Sequence, residues 1–331
     1  MNAPGTERSI ERLMKLAGER DMPSPEGMER ARRAAHETWM RAIGQGRPEA
    51  SRRALKWVVA LAMAASVAAV AFYTGTHRPS AVPALLVARI ATLDGAATLR
   101  EPVGETAARE ALPVFAGATL VTGAGRVALT FGDSLSLRVD RHTRLRFDSR
   151  EQITLLEGAL YIDSGGVNAV PILRIGTPAG QVRHVGTQFQ LRVSREVTQV
   201  RVREGRVLLT RAAGEPTEIV TGDELQVSGS GLQWQHGLAS FGPDWEWSAK
   251  IAPPLEIENR PLAEFLAWMT REHGWQLRYI DATLQQRTHE IRLHGSLHRL
   301  DAAAMMERVS LVTGMALHAQ DGVLWVGGKP R

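Results

Sequence analysis

From Trp57 to Tyr73 the chain reads WVVALAMAASVAAVAFY, seventeen residues without a charge. With Ala54, Leu55, Lys56 and the exit Thr74–Gly75 the run reaches about the 20 residues that a helix needs to cross a bilayer. A buried helix of a soluble domain normally interrupts such a run with a polar face. Trp57 at one end and Phe72–Tyr73 at the other suit the interfacial aromatic belts, and Lys56 can snorkel. The sequence therefore predicts one transmembrane helix over 54–75. Arg41, Arg47, Arg52, Arg53 and Lys56 precede it, against Arg78 and Arg89 soon after. By the positive-inside rule, residues 1–53 form a cytoplasmic tail and the bulk of the chain lies on the far side of a bacterial inner membrane, in the periplasm. A cleaved signal peptide would have a much shorter charged region, followed by a small-x-small cleavage site.

The charge balance agrees with that layout. The chain has 40 Lys+Arg, 35 Asp+Glu and a formal charge of +5. Residues 1–56 hold 12 basic and 8 acidic side chains, and the remainder holds 28 and 27. The excess belongs to the tail, where it faces membrane lipid, so a uniformly basic nucleic-acid-binding body is excluded. There is no cysteine, which removes disulfides, thiolate nucleophiles, iron–sulfur clusters and Cys-based zinc sites.

The tail reads as two helices. Ile10, Leu13, Met14 and Ala17 mark one short amphipathic face, ended by Pro23-Ser24-Pro25. A second helix spans Glu26 to Ile43, with a stripe of Met28, Ala31, Ala35, Trp39 and Ala42, and Gly44, Gly46 and Pro48 stop it. Such a helix either lies on anionic lipid or offers Met28, Ala35 and Trp39 to a cytoplasmic protein.

After a linker at 76–84, the grammar over 85–240 is that of a mainly β domain. Val127–Phe131, Ser134–Val139, Arg144–Phe147 and Arg201–Arg203 alternate apolar with polar residues, as half-buried antiparallel strands do. Turn signals recur at Gly123–Gly125, Gly132-Asp133, Glu157-Gly158, Glu204-Gly205 and Gly222-Asp223, predicting a β-sandwich or roll. A connector at 241–254 leads to a small α/β sandwich over 255–327, read as βαββαβ. Its elements are a strand at Leu255–Glu258, a helix capped by Asn259 with Pro261 in its first turn and stopped by Gly274, strands at Trp275–Ile280 and Glu290–Leu293, a helix at Leu300–Thr313 stopped by Gly314, and a closing hairpin of Met315–Ala319 and Val323–Val326.

No constellation in the sequence predicts a catalytic, cofactor-binding or metal-binding residue. Gly132-Asp133-Ser134-Leu135 spells an esterase nucleophile motif, yet no Asp-x-x-His follows to supply its base, and a hairpin turn explains it more simply. His289, His294 and His298, with His273 and His318, have spacings that fit neither one strand face nor a common metal loop. Gly229 and Gly231 lack the strand-before, helix-after context of a phosphate loop. Trp245, Trp247, Trp268 and Trp275 could stack sugars but more often anchor a junction and a core. A membrane-tethered β scaffold that binds cell-envelope glycan or protein, using tryptophans near 234–247, is the alternative to a signalling role.

Four segments occur in a telling order: Leu156-Glu-Gly-Ala-Leu-Tyr161, Val185-Gly-Thr-Gln-Phe-Gln-Leu191, Val202-Arg-Glu-Gly-Arg-Val-Leu-Leu209 and Thr221-Gly-Asp-Glu-Leu225. Together they resemble the FecR family, whose pattern runs EG, GT-x-F, V-x-EG-x-V and G-[DE]-x-L. The segment from Pro261 to Trp325 is similar to the short amino-terminal domain of secretins and TonB-dependent transducers. The resemblance implies an inner-membrane anti-sigma regulator without enzyme activity or cofactor. Its tail would hold an extracytoplasmic-function sigma factor, its periplasmic part would receive a signal from an outer-membrane transducer, and proteolysis within the membrane would release the tail. Gly158, Gly186, Thr187, Phe189, Glu204 and Gly205 would shape turns and core. The tail departs from the family pattern, which has a longer sigma-binding region around a tryptophan; here Trp39 and the Met28–Ile43 helix stand in for it.

Overall fold

The structure, a computed structural model, describes residues 24–44 and 85–327 apart from 133, 166–172, 213 and 299. The first tail helix, the 54–75 run and the 76–84 linker lie outside these residues. Among the described residues no helix is long and apolar enough to cross a membrane. The residues fall into two compact units divided at Ala81.

The first unit contributes helix α1, Pro25–Gly44. Ser24 stands just ahead of it and its Oγ accepts the Gly27 N–H at 3.2 Å, while Pro25 fills the first position, where a missing N–H costs nothing. Every side chain described from Met28 to Arg41 is exposed.

The second unit begins with fifteen strands between Leu86 and Gln235, hydrogen-bonded into one continuous sheet. All pairings are antiparallel except Arg174–Thr177 beside Gln152–Asp163. The alternating runs became strands at Arg126–Phe131, Leu135–Val139 and Arg144–Phe147. Their inward side chains, among them Leu129, Leu137, Leu145, Ile162 and Phe189, share one apolar core.

Two of the expected turns are something else. Glu157-Gly158 and Glu204-Gly205 lie inside long strands, Gln152–Asp163 and Val197–Thr210. Before Gly158 the first of these pairs with Arg144–Phe147; from Gly158 onward it pairs with Gly180–Ser194, and from Leu160 with Leu135–Val139. Glycine here bends a strand from one set of partners to the next without reversing the chain.

The α/β region also differs from the βαββαβ reading. Leu255–Glu258 is irregular, and the strand there is only Arg260–Pro261. Asn259 caps nothing: it takes φ 57° in a turn, and Pro261 occupies the N-cap of helix α3, Leu262–His273. Two further helices were not expected. Helix α2, Pro243–Lys250, occupies the connector, and helix α4, Ala282–Glu290, starts at Asp281, whose side chain accepts the Thr283 N–H. The final helix, α5, is Ala302–Thr313. Helices α3 and α5 end at Gly274 and Gly314, both at φ 68° in the left-handed region that glycine enters freely. The closing strands Leu317–Gln320 and Val323–Val326 turn through Asp321 (φ 50°) and Gly322 (φ 76°) to pair with each other, and Val323–Val326 also pairs, in parallel, with Gln276–Tyr279. Leu262, Phe265, Leu266 and Met269 of α3 anchor a second core with Leu324 and Val326.

Candidate functional site

Three of the four ordered segments meet in space as paired strands. Gly186 (φ 59°) and Gly205 (φ 82°) sit where the strands Gly180–Ser194 and Val197–Thr210 shift register against each other. A Cβ on Gly205 would lie 2.3 Å from the Gly186 carbonyl oxygen and 2.8 Å from Thr187 Cγ2, so the two backbones touch only because residue 205 is glycine. A Cβ on Gly158 (φ 95°) would lie 2.5 Å from Thr143 Cα. Thr187 and Phe189 are fully buried, and the Thr187 N–H bonds to Ser164 Oγ at 2.8 Å. These five residues lie within the strands of the sheet. Glu204 is different: it is exposed and its Oε2 accepts from Arg271 Nη1 at 3.2 Å.

That contact belongs to a junction between the sheet and the α/β region. Because side chains alternate along strands, one register row across five strands places Arg138, Tyr161, Gln190, Arg201 and Glu224 on the face away from the apolar core. The next row brings Ser136, Asp163, Gln188 and Glu204 together. Helices α2 and α3 lie over both. Glu272, at the end of α3, takes Arg138 in a two-point ion pair, Oε2 at 2.5 Å from Nη1 and Oε1 at 2.8 Å from Nη2. The Ser248 carbonyl of α2 accepts a third bond from Arg138 at 3.1 Å. Trp247 donates from Nε1 to Gln190 Oε1 at 2.7 Å, and Asp244 pairs with Arg201 at 2.7 Å. The ring of Trp245 meets Tyr161 edge-on at 6.2 Å. In the second row Arg271 bonds both oxygens of Asp163 and reaches Glu204, while Gln188 donates to Asp163 at 3.0 Å and to the Arg271 carbonyl at 3.3 Å.

Burial sets the electrostatics. It works against the charged form of Asp163, but the hydrogen bonds and charge of Arg271, with the Gly165 N–H and Gln188, hold its carboxyl below the usual range. Burial likewise opposes the charge on Arg138, which Glu272 more than restores, so its pKa is raised. The Tyr161 hydroxyl is pushed up to about 12 by burial, against the pull of Arg203 and Arg138. His273 is brought down to about 4, first by burial and then by Arg203.

Among the described residues no nucleophile, base and acid come together. Ser134 is exposed at the hairpin between Arg126–Phe131 and Leu135–Val139. Among the described residues no group of His, Asp and Glu could hold a metal ion: His294 pairs with Glu258, His318 bonds Gln320, and His273 stacks on Trp275 at 4.4 Å. Trp245 and Trp247 are buried in the junction and are not available to stack sugars; Trp234 is 40 % exposed and stacks on His236. Met28, Ala35 and Trp39 share α1 in the other unit, exposed, with His36 against Trp39 at 5.9 Å. The sequence reading named Trp245 and Trp247 as junction anchors and Glu204 as a motif residue, but not Arg138, Asp163, Gln190 or Glu272, although an Arg271-Glu272 pair ending an apolar helix was a visible sign.

A bent, glycine-pinned β-sheet docked through polar side chains onto a small α/β region defines the class of fold. Residues 118–208 match the FecR protein family, and the chain carries a FecR domain there. Two crystal structures of a "putative anti-sigma factor" from Parabacteroides distasonis ATCC 8503 are similar at a distance. One, at 1.65 Å, has 13% identity and a TM-score of 0.33, covering 63% of this chain and 98% of its own. The other, at 2.50 Å, has 12% identity and a TM-score of 0.27, covering 74% and 100%. Neither likeness is close enough to carry over a function. No curated protein matches.

Proposed function

We propose that this protein relays a signal across the bacterial inner membrane and regulates an extracytoplasmic-function sigma factor through its tail. The FecR domain at 118–208 carries the reading. In this scheme residues 54–75 span the bilayer, 1–53 face the cytoplasm, and the β domain of 85–240 with the 255–327 region receives a periplasmic or outer-membrane transducer. Helix α1 supports the cytoplasmic role. Met28 and Trp39 are each 59% exposed, and a large aromatic left in water is a natural anchor for a partner. The test is capture of sigma factors from cell extract by the full-length chain and by its Trp39→Ala variant. The relay reading expects a sigma factor with the parent chain and at least a tenfold loss with the variant, about 1.4 kcal/mol or more. Failure of the parent to retain any sigma factor would remove the role. Protease applied to intact cells with a permeabilised outer membrane checks the topology: the 85–327 region should be cut and the tail protected.

A further inference from the structure

Arg203 is the one junction cation described above whose charge no carboxylate answers. It lies on the outer face of the sheet and is 4% exposed, yet no acidic side chain among the described residues pairs with it. Its hydrogen bonds all leave from Nη1, to Tyr161 Oη at 3.3 Å and to the Glu272 carbonyl at 3.1 Å. Nε is buried without a partner. The rings of Trp245 and Tyr161, 4.6 Å and 5.7 Å from the guanidinium carbon, offset part of the burial cost. A buried guanidinium with donors to spare normally finds an anion.

Arg203 also lines a crevice of about 280 Å³. Its walls come from three separate parts of the chain: Trp245 and Glu246 of α2, His273 and Trp275 at the end of α3, and Asp321 in the closing hairpin, with Phe241 beside them. Gly322 holds that hairpin in place, because a Cβ there would fall 2.3 Å from the Phe241 ring. The charges are ordered by depth. The cation, Arg203, is buried, and the two acids, Glu246 and Asp321, are exposed. Glu246 has only a loose, exposed contact with Lys250 at 3.7 Å, too weak to neutralise it. The larger cleft nearby, about 770 Å³, has no such feature: its one buried acid, Glu272, is already matched by Arg138.

We propose that this crevice binds a small zwitterion of the amino-acid class, its carboxylate on the Arg203 guanidinium, its ammonium toward Glu246 and Asp321, and its apolar body against Phe241 and Trp275. Such a ligand would bridge the sheet, α2 and the closing hairpin, and so would fasten the α/β region onto the FecR domain. The site stands apart from the relay reading: sigma-factor capture and ligand binding are measured separately, and either can fail alone.

The test is isothermal titration of the full-length chain with three probes that share a phenyl body: L-phenylalanine, 3-phenylpropionate and phenethylamine. L-Phenylalanine is expected to bind at least about tenfold more tightly than either half-ligand, since each lacks one charge-assisted contact. Arg203→Met should abolish binding of L-phenylalanine and of the acid. Glu246→Gln with Asp321→Asn changes only exposed side chains and guards against a misfolded Arg203 variant; it should remove the preference for L-phenylalanine over the acid. Absence of L-phenylalanine binding at millimolar concentration, equal affinity for the zwitterion and the acid, or unchanged binding in either variant would overturn the proposal.

Discussion

Arg138 and Glu272 stand 134 positions apart in the chain and close a two-point ion pair with almost no contact to water, Arg138 being 1% exposed. The pair fastens the end of an apolar helix to the outer face of a β-sheet. Around it, contacts between polar side chains recur: Asp163 with Arg271, Gln190 with Trp247, Arg201 with Asp244. A junction of this kind is specific in register and orientation, whereas an apolar one of the same extent would tolerate sliding.

Removing one member of the pair should cost far more than removing both. Arg138→Met leaves the Glu272 carboxylate buried and alone, and Glu272→Gln does the same to Arg138; each should lose about 3–5 kcal/mol. Arg138→Met combined with Glu272→Leu should recover most of that loss. Denaturant unfolding followed by tryptophan fluorescence reads it directly, because Trp245 and Trp247 sit in the junction. Losses that simply add would show that the two side chains do not act together.

The contrast between core and junction explains what the sequence could and could not reveal. Arg126–Phe131 and Arg144–Phe147 were legible because period-two alternation marks an apolar face directly. Helices α3 and α5 were legible from their apolar stripes and the glycines that end them. Helix α4 was not: in ATLQQRTHE only Leu284 and Thr288 turn inward, leaving no stripe to detect. The junction was hidden for a different reason. Alternation says that Arg138, Gln190 and Arg203 point away from the core, but it cannot tell water from a polar partner further along the chain. The same holds for Gly158 and Gly205, since a glycine that bends a strand looks, in sequence, like one that reverses it.

Gly205→Ala should be severely destabilising, and Gly132→Ala only mildly so. Both glycines have positive φ, 82° and 57°, so both substitutions meet backbone strain of about 1–2 kcal/mol. Only at Gly205 does the new methyl also strike backbone, 2.3 Å from the Gly186 oxygen; nothing lies within 4 Å at Gly132. Thermal unfolding of the two variants should therefore differ by at least about 2 kcal/mol, as expected when overpacking adds to strain. Equal losses would mean that the two motif glycines do not need their close approach.

Trp247→Phe isolates one hydrogen bond of the junction. It keeps an aromatic body but removes the Nε1–H that reaches Gln190 Oε1, leaving a buried amide oxygen unpaired at a cost of about 1–3 kcal/mol. Adding Gln190→Leu should return part of the loss. Trp234→Phe, at a half-exposed position on the last strand of the sheet, should stay within about 0.5 kcal/mol of the parent by the same unfolding measurement.

Acid should begin to loosen the β region before most carboxylates take up protons. His184 is 2% exposed and burial brings its pKa down to about 4. Its Nε2 accepts the Leu173 N–H at 3.3 Å, which fixes the neutral ring with the proton on Nδ1. As pH falls below the ordinary value of 6.5, the unfolded chain takes up a proton at this position and the folded chain does not. The stability linked to neutral His184 is thus complete above pH 6.5 and declines down to about pH 4, by roughly 3 kcal/mol in all. His273, also held near 4, adds a second proton over the same window. His184→Gln keeps an acceptor for Leu173 but cannot titrate. Between pH 6 and pH 5 its unfolding free energy should fall with a slope about one proton shallower than that of the parent. Equal slopes in the two proteins would show that His184 is protonated in the folded state and that its burial does not control its charge.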